Sequence, residues 1–240
     1  MLEIIGLSKH YGDVKAVTDL NLTIHEGEIF TMLGANGAGK TTTLMVALGF
    51  TEPTKGTVKL CGIDITVQPL EAKKHVAYVS ENVMLYGNFS ARQNLDFFTR
   101  LSGQPPQDAA HYDQIMARVG LQPEAFDRRV KEFSKGMRQK LGIAIAIAKD
   151  ARIVLLDEPT SGLDPKSGAE FLELLDELRN EGKAIWMTTH DVFRARVIAD
   201  RLGIMVEGHL VKTLTRAEFE EADLERLYVE YVERPVLPAA

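Results

Sequence analysis

The chain has 240 residues, 45% hydrophobic and 26% charged, with a formal net charge of −6. That composition suits a globular chain able to bury a core, and its acidic balance excludes a global attraction for nucleic acid or anionic membranes. Cys61 is the only cysteine; this excludes an internal disulfide, fits a reducing compartment, and reads as a small hydrophobe beside a turn. The longest apolar run, Leu141 to Ala148, falls well short of the roughly 20 residues that span a bilayer. Met1 to Ile5 shows neither the basic nor the long apolar region of a secretory signal. These features predict an intracellular protein that meets a membrane only through a partner.

The first part of the chain reads as short strands over Leu2–Ile5, Leu20–Ile24, Glu28–Leu33 and Thr57–Leu60, punctuated by Gly12-Asp13 and Glu26-Gly27-Glu28. Directly after the third strand comes Gly34-Ala35-Asn36-Gly37-Ala38-Gly39-Lys40-Thr41, which matches G-x-x-x-x-G-K-[ST] and precedes the helical run Thr42–Leu48. A loop that wraps a polyphosphate keeps its side chains small and turns its backbone N–H groups inward, and the following helix adds its positive end. Lys40 then reaches the β- and γ-phosphates, the Thr41 hydroxyl ligates Mg2+, and Thr42 adjoins the same phosphates. A Gly-rich turn that only caps a helix is the bland alternative; the strand–loop–helix context favours a nucleotide site.

The middle of the chain is helical. Ser90 and Gln93 form a capping box before Leu95, Phe98 and Leu101, Gly103-Gln104-Pro105-Pro106 breaks the pattern, and a second helix surrounds Ile115 and Val119. Ile153–Leu156 is wholly apolar and suits a central parallel strand. It delivers Asp157, a carboxylate able to hold Mg2+ through its water shell, and Glu158, placed to polarise an attacking water as general base. Asp164-Pro165 opens a helix with Phe171, Leu174, Leu175 and Leu178 as its stripe and Gly182 at its end; Ala184–Thr189 is the next strand. Thr215 and Glu218 cap a last helix, and Pro235–Ala240 reads as a frayed tail.

At this point the chain resembles an ABC-family ATPase over nearly its whole length. Phe133-Ser134-Lys135-Gly136-Met137-Arg138-Gln139 resembles the family signature, in the variant typical of cassettes paired with ABC-2-type exporter permeases. It lies 94 residues after Lys40 (134 − 40) and 23 before Asp157 (157 − 134). Pro159-Thr160-Ser161-Gly162-Leu163-Asp164-Pro165 resembles the D-loop, His190 the switch histidine, and Tyr11 the aromatic that stacks on adenine with Val17 against the same ring. The resemblance implies an α/β P-loop NTPase fold of one ABC ATPase domain. Its core, with a parallel central sheet and an N-terminal antiparallel β subdomain, takes residues 1–81 and 151–214. An α-helical subdomain fills 82–150, and a short C-terminal helix and tail fill 215–240.

It further implies that ATP and Mg2+ bind between two copies, or between this chain and a homologous cassette. Ser134, Lys135, Gly136 and Asp164 would then meet the nucleotide held by the other subunit, and His190 would hold the attacking water in line. A transmembrane permease is the expected partner, nucleic acid is not, and the expected location is the cytoplasmic face of the membrane. Glu81 departs from the family, which usually carries Gln there; a carboxylate can still ligate Mg2+ but adds negative charge beside the γ-phosphate. The apolar cluster Met84, Leu85, Tyr86 and Phe89 lies where the family receives a short permease helix. A mechanical regulator of a membrane complex, or a soluble ABC protein of translation or DNA maintenance, are the competing functions.

Overall fold

The structure, a computed structural model describing residues 1–233, runs β1 (Leu2–Tyr11), β2 (Val14–Ile24), β3 (Ile29–Leu33), α1 (Lys40–Ala47), β4 (Lys55–Leu60), β5 (Ile63–Asp64), α2 (Pro69–Lys74) and β6 (Val76–Val79). Next come α3 (Ala91–Leu101), α4 (Ala109–Arg118), α5 (Lys135–Ala148), β7 (Ile153–Asp157), α6 (Pro165–Asn180), β8 (Ala184–Thr189), α7 (Val192–Ile198), β9 (Arg201–Val206), β10 (His209–Thr215), α8 (Arg216–Glu221) and α9 (Leu224–Glu233). The predicted tail Pro235–Ala240 lies outside the described residues.

One sheet is antiparallel, in the order β2-β1-β4-β5. Its first strand runs well past the expected stop at Ile5. Gly6, at φ 57°, is absorbed where the register shifts, and pairing resumes at Leu7 opposite Leu20. The second sheet has the order β10-β9-β3-β8-β7-β6. Its strands from β9 to β6 are parallel, as expected of the central sheet, and β10 returns antiparallel on β9 at the edge. Every residue of β3, β7 and β8 is buried, as strands covered on both faces require.

One apolar cluster joins the helices α3–α6 to one face of this sheet, a second fills the space between the two sheets around α1, and a third lies beneath α7, α8 and α9. The helical lobe between β6 and β7 opens on the expected box, with Ser90 accepting from Gln93 N and Gln93 accepting from Ser90 N. Among the described residues no helix is long and apolar enough to cross a membrane.

Candidate nucleotide site

The phosphate loop occupies the C-terminal edge of β3, the usual ligand position in parallel sheets. Gly39 takes φ 105°, and a Cβ there would lie 2.4 Å from the Ala16 carbonyl and 2.8 Å from Met205 Cε, so only glycine fits. Lys40, 5% exposed, folds back over the loop: Nζ donates to the carbonyls of Gly34 at 2.6 Å and Ala35 at 3.1 Å, and lies 3.4 Å from Glu158 Oε1. Thr41 Oγ1 donates to Asp157 Oδ2 at 2.9 Å, while Thr188 Oγ1 donates to Oδ1 at 2.6 Å. Above the loop is a cavity of about 370 Å³, bordered by Asn36, Thr42, Glu81, Asp157 and Glu158 among others.

Full burial of β7 brings Asp157 and Glu158 to the rim of that cavity. Glu158 adopts φ 48°, unusual for a residue with a Cβ, and the turn is held by its N–H, which lies 3.2 Å from both the carbonyl and the hydroxyl of Thr188. Its Oε2 stands 3.0 Å from His190 Nδ1. Burial, reinforced by the Asp157 carboxylate, pushes the Tyr78 phenol well above the usual tyrosine range. A hydroxyl and a carboxylate meeting at hydrogen-bond distance form a hard-oxygen pair that suits Mg2+, a cation that keeps most of its own waters and takes few protein ligands.

Lys40, Thr41, Thr42, Asp157, Glu158 and Glu81 thus converge, with His190 held through Glu158. Val17 is fully buried in the core between the sheets, and Ala16 stands at the cavity instead; Tyr11 is 50% exposed with Lys9 Nζ 4.8 Å from its ring centre, outside the cavity lining. Ser134 caps α5, accepting from Met137 N at 3.2 Å, and lies with Gly136 on a separate recess. Within its own chain Asp164 caps α6, its oxygens accepting from Ser167 N at 3.0 Å and Ser167 Oγ at 2.6 Å; the contact expected of it is with the nucleotide of a second cassette.

Thr188, Ser161 and the Glu207-Gly208 turn were not expected at the site. Gly208 N donates to the Ala38 carbonyl, and both turn residues line the cavity. Glu207-Gly208 is a readable turn signal, but nothing local says that this turn folds over the phosphate loop.

The sequence matches the ABC transporter family over residues 17–161. The chain belongs to that family. It is 36% identical over 236 residues to YhcH, an uncharacterized ABC transporter ATP-binding protein of Bacillus subtilis (strain 168), covering 98% of this chain and 76% of that one. It is 34% identical to the bacitracin transport ATP-binding protein BcrA of Enterococcus faecalis, covering 96% and 74%. A dimeric structure of MJ0796, a bacterial ABC transporter cassette, superposes with a TM-score of 0.82 at 25% identity, covering 90% of this chain and 99% of that one. As an ABC ATPase, the chain binds and hydrolyses ATP. The acid at the end of β7, at the rim of the cavity over the phosphate loop, stands 3.0 Å from the histidine after β8.

Proposed function

We propose that the chain is the Mg2+-dependent ATP-hydrolysing subunit of an exporter, acting as one half of a pair that closes on shared ATP and drives a separate transmembrane permease. One observation carries the shared site: Ser134 and Gly136, at the N-terminus of α5, lie outside the cavity that their own chain builds over Lys40, leaving the signature free for the nucleotide of a second cassette.

In this reading Lys40 exchanges its backbone carbonyls and Glu158 for the β- and γ-phosphate oxygens of ATP. Glu158 accepts the proton of the attacking water as its oxygen bonds to the γ-phosphorus, and ADP leaves. His190 is a positioning residue whose Nδ1 fixes the Glu158 carboxylate. Thr41 and Asp157 would hold Mg2+, which neutralises charge developing on the phosphate oxygens. Glu81, bordering the same cavity, is a candidate for a further oxygen ligand.

Attachment to the cytoplasmic face of a membrane would come through the permease. A groove of about 420 Å³ between the sheet core and the helical lobe, with Met84, Leu85, Phe98 and Leu101 on its walls, offers the apolar surface for a permease helix. Export rather than import rests on the signature variant and on relatives such as the bacitracin transport protein.

Mixing two inactive variants tests the pair. Lys40→Ala removes the phosphate contact in cis and Ser134→Arg blocks the signature in trans, so each alone should lose turnover. The mixture should regain part of it, because a mixed pair keeps one complete site. No recovery from folded proteins, with Ser134→Arg alone as active as the unmodified chain, would show that each protomer works by itself.

A further inference from the structure

Glu81 follows β6, and its Oε1 is a meeting point: Ser161 Oγ donates to it at 3.0 Å, and Lys135 Nζ lies 3.4 Å away. The loop after β6, the loop after β7 and the first residue of α5 are thereby joined on one oxygen. The backbone beneath is tied to α5 as well, since the fully buried Gln139 donates from Nε2 to the carbonyls of Ser80 at 3.2 Å and Glu81 at 2.9 Å. The Lys135 stem crosses Gly162, with Nζ 3.6 Å from where a Cβ would be, so this glycine leaves the lysine a path to the acid.

Glu81 also borders the nucleotide cavity together with Asp157, Glu158 and Glu207. Lys40 is already engaged with Glu158. Another carboxylate facing an incoming triphosphate weakens its capture unless a cation stands beside it.

We propose that Lys135 is that cation: a positioning residue matched to Glu81, which balances the carboxylate against the terminal phosphate and, through Ser161, holds the start of α5 and the loop 159–163 at fixed spacing. The inference rests on the ATP site described above, and it makes the charge at 81 and the charge at 135 a pair that this chain carries together. The glutamate is tolerable because the lysine is present.

The test is a double-mutant cycle on ATP affinity, read by isothermal titration in EDTA and again with Mg2+, with melting temperatures to confirm folding. In EDTA, Lys135→Met should weaken ATP binding and Glu81→Gln should match or exceed the unmodified affinity. With Mg2+ the Glu81→Gln value also carries the loss of a metal-side oxygen, so the coupling is taken from the EDTA series. The double variant should bind like Glu81→Gln, and Lys135→Arg should keep the unmodified affinity. The two side chains are 31% and 46% exposed, so solvent screens them, and the coupling should be about two- to fivefold at low ionic strength, shrinking as salt is added. Additive single effects, or Lys135→Met binding as tightly as the unmodified chain at low salt, would overturn the pairing. Failure of the unmodified chain to bind ATP would instead overturn the nucleotide site itself, so the two failures are distinguishable.

Discussion

Glu158→Gln should separate nucleotide binding from turnover and shift stability in opposite directions with and without ATP. In the free protein Lys40 and Glu158 are 5% and 13% exposed and 3.4 Å apart. At an effective dielectric near 20, the gross attraction at that distance is about 5 kcal/mol. Lys40 keeps its two backbone acceptors and the amide still offers an oxygen, so the net loss should be about 1–2 kcal/mol. For a chain of this size that lowers the melting temperature by about 2–8 °C. The amide can adopt the same φ of 48°, which leaves charge as the variable. With ATP present the sign reverses: no carboxylate repels the γ-phosphate and Lys40 is free to meet it, so ATP should raise the melting temperature more in the variant than in the unmodified chain. Turnover should fall about 10²- to 10⁴-fold, the usual contribution of a general base. Thermal melts with and without ATP in EDTA, together with phosphate release in Mg2+, read all of these quantities. An unchanged melting temperature without nucleotide, combined with retained turnover, would refute both the ion pair and the role of Glu158 as base.

Gly39→Ala should abolish ATP binding and lower the melting temperature, because it adds a left-handed strain of about 1–2 kcal/mol to a clash 2.4 Å from the Ala16 carbonyl. Gly37→Ala, at φ 84° with no atom within 4 Å of the new Cβ, should show only the conformational loss; equal effects on titration and melting would mean that the loop takes another course. The Ser167 side chain, then its backbone, hold the Asp164 carboxyl below the usual carboxylate range. Its contribution is therefore present above the unfolded value of about 3.9 and is lost as pH falls through the lower folded value. Asp164→Ala should flatten the decline in stability below that pH, and an equally steep decline in acid melts would contradict the cap.

The phosphate loop was readable because its glycines, Lys40 and Thr41 are spaced by local geometry within a single turn, and Asp157-Glu158 because a wholly apolar strand has only one end at which to place them. Residues whose position depends on register were not. Val17 and Ala16 differ by one step along β2, and the shifts in the pairing of β1 with β2 decide which of them faces the cavity. Asp164 carries two legible signals, helix cap and loop motif; the hydrogen bonds to Ser167 account for the first, and the second concerns a partner cassette. Strand β9 was hidden by Gly203 in its middle. A Cβ there would stand 2.6 Å from Phe30 Cζ, so the glycine answers an aromatic ring on the neighbouring strand, far away in sequence.

Glu158, the proposed base, is held on one side from the end of β8 and the turn that leads into α7. Thr188 hydrogen-bonds the Asp157 carboxylate and holds the Glu158 N–H, and His190 meets the Glu158 carboxylate. Four residues beyond His190, Arg194 on α7 donates to the carbonyl of Thr160 and, at 3.5 Å, to that of Leu163. Glu158 sits in a backbone conformation that costs energy, and such a conformation persists only where the surroundings over-determine it; here those surroundings are the end of β8 on one side and Lys40 on the other. In the proposed reaction, exchange of Lys40 from Glu158 to a phosphate would remove one of these restraints and leave the other, the contact of the carboxylate with His190. The loop 159–163 hangs from the same strand end through Arg194 and from Glu81 through Ser161. The terminal phosphate of the proposed reaction would thus meet a base and a loop bordering the signature that share supports, the end of β8 with α7 on one side and Glu81 on the other.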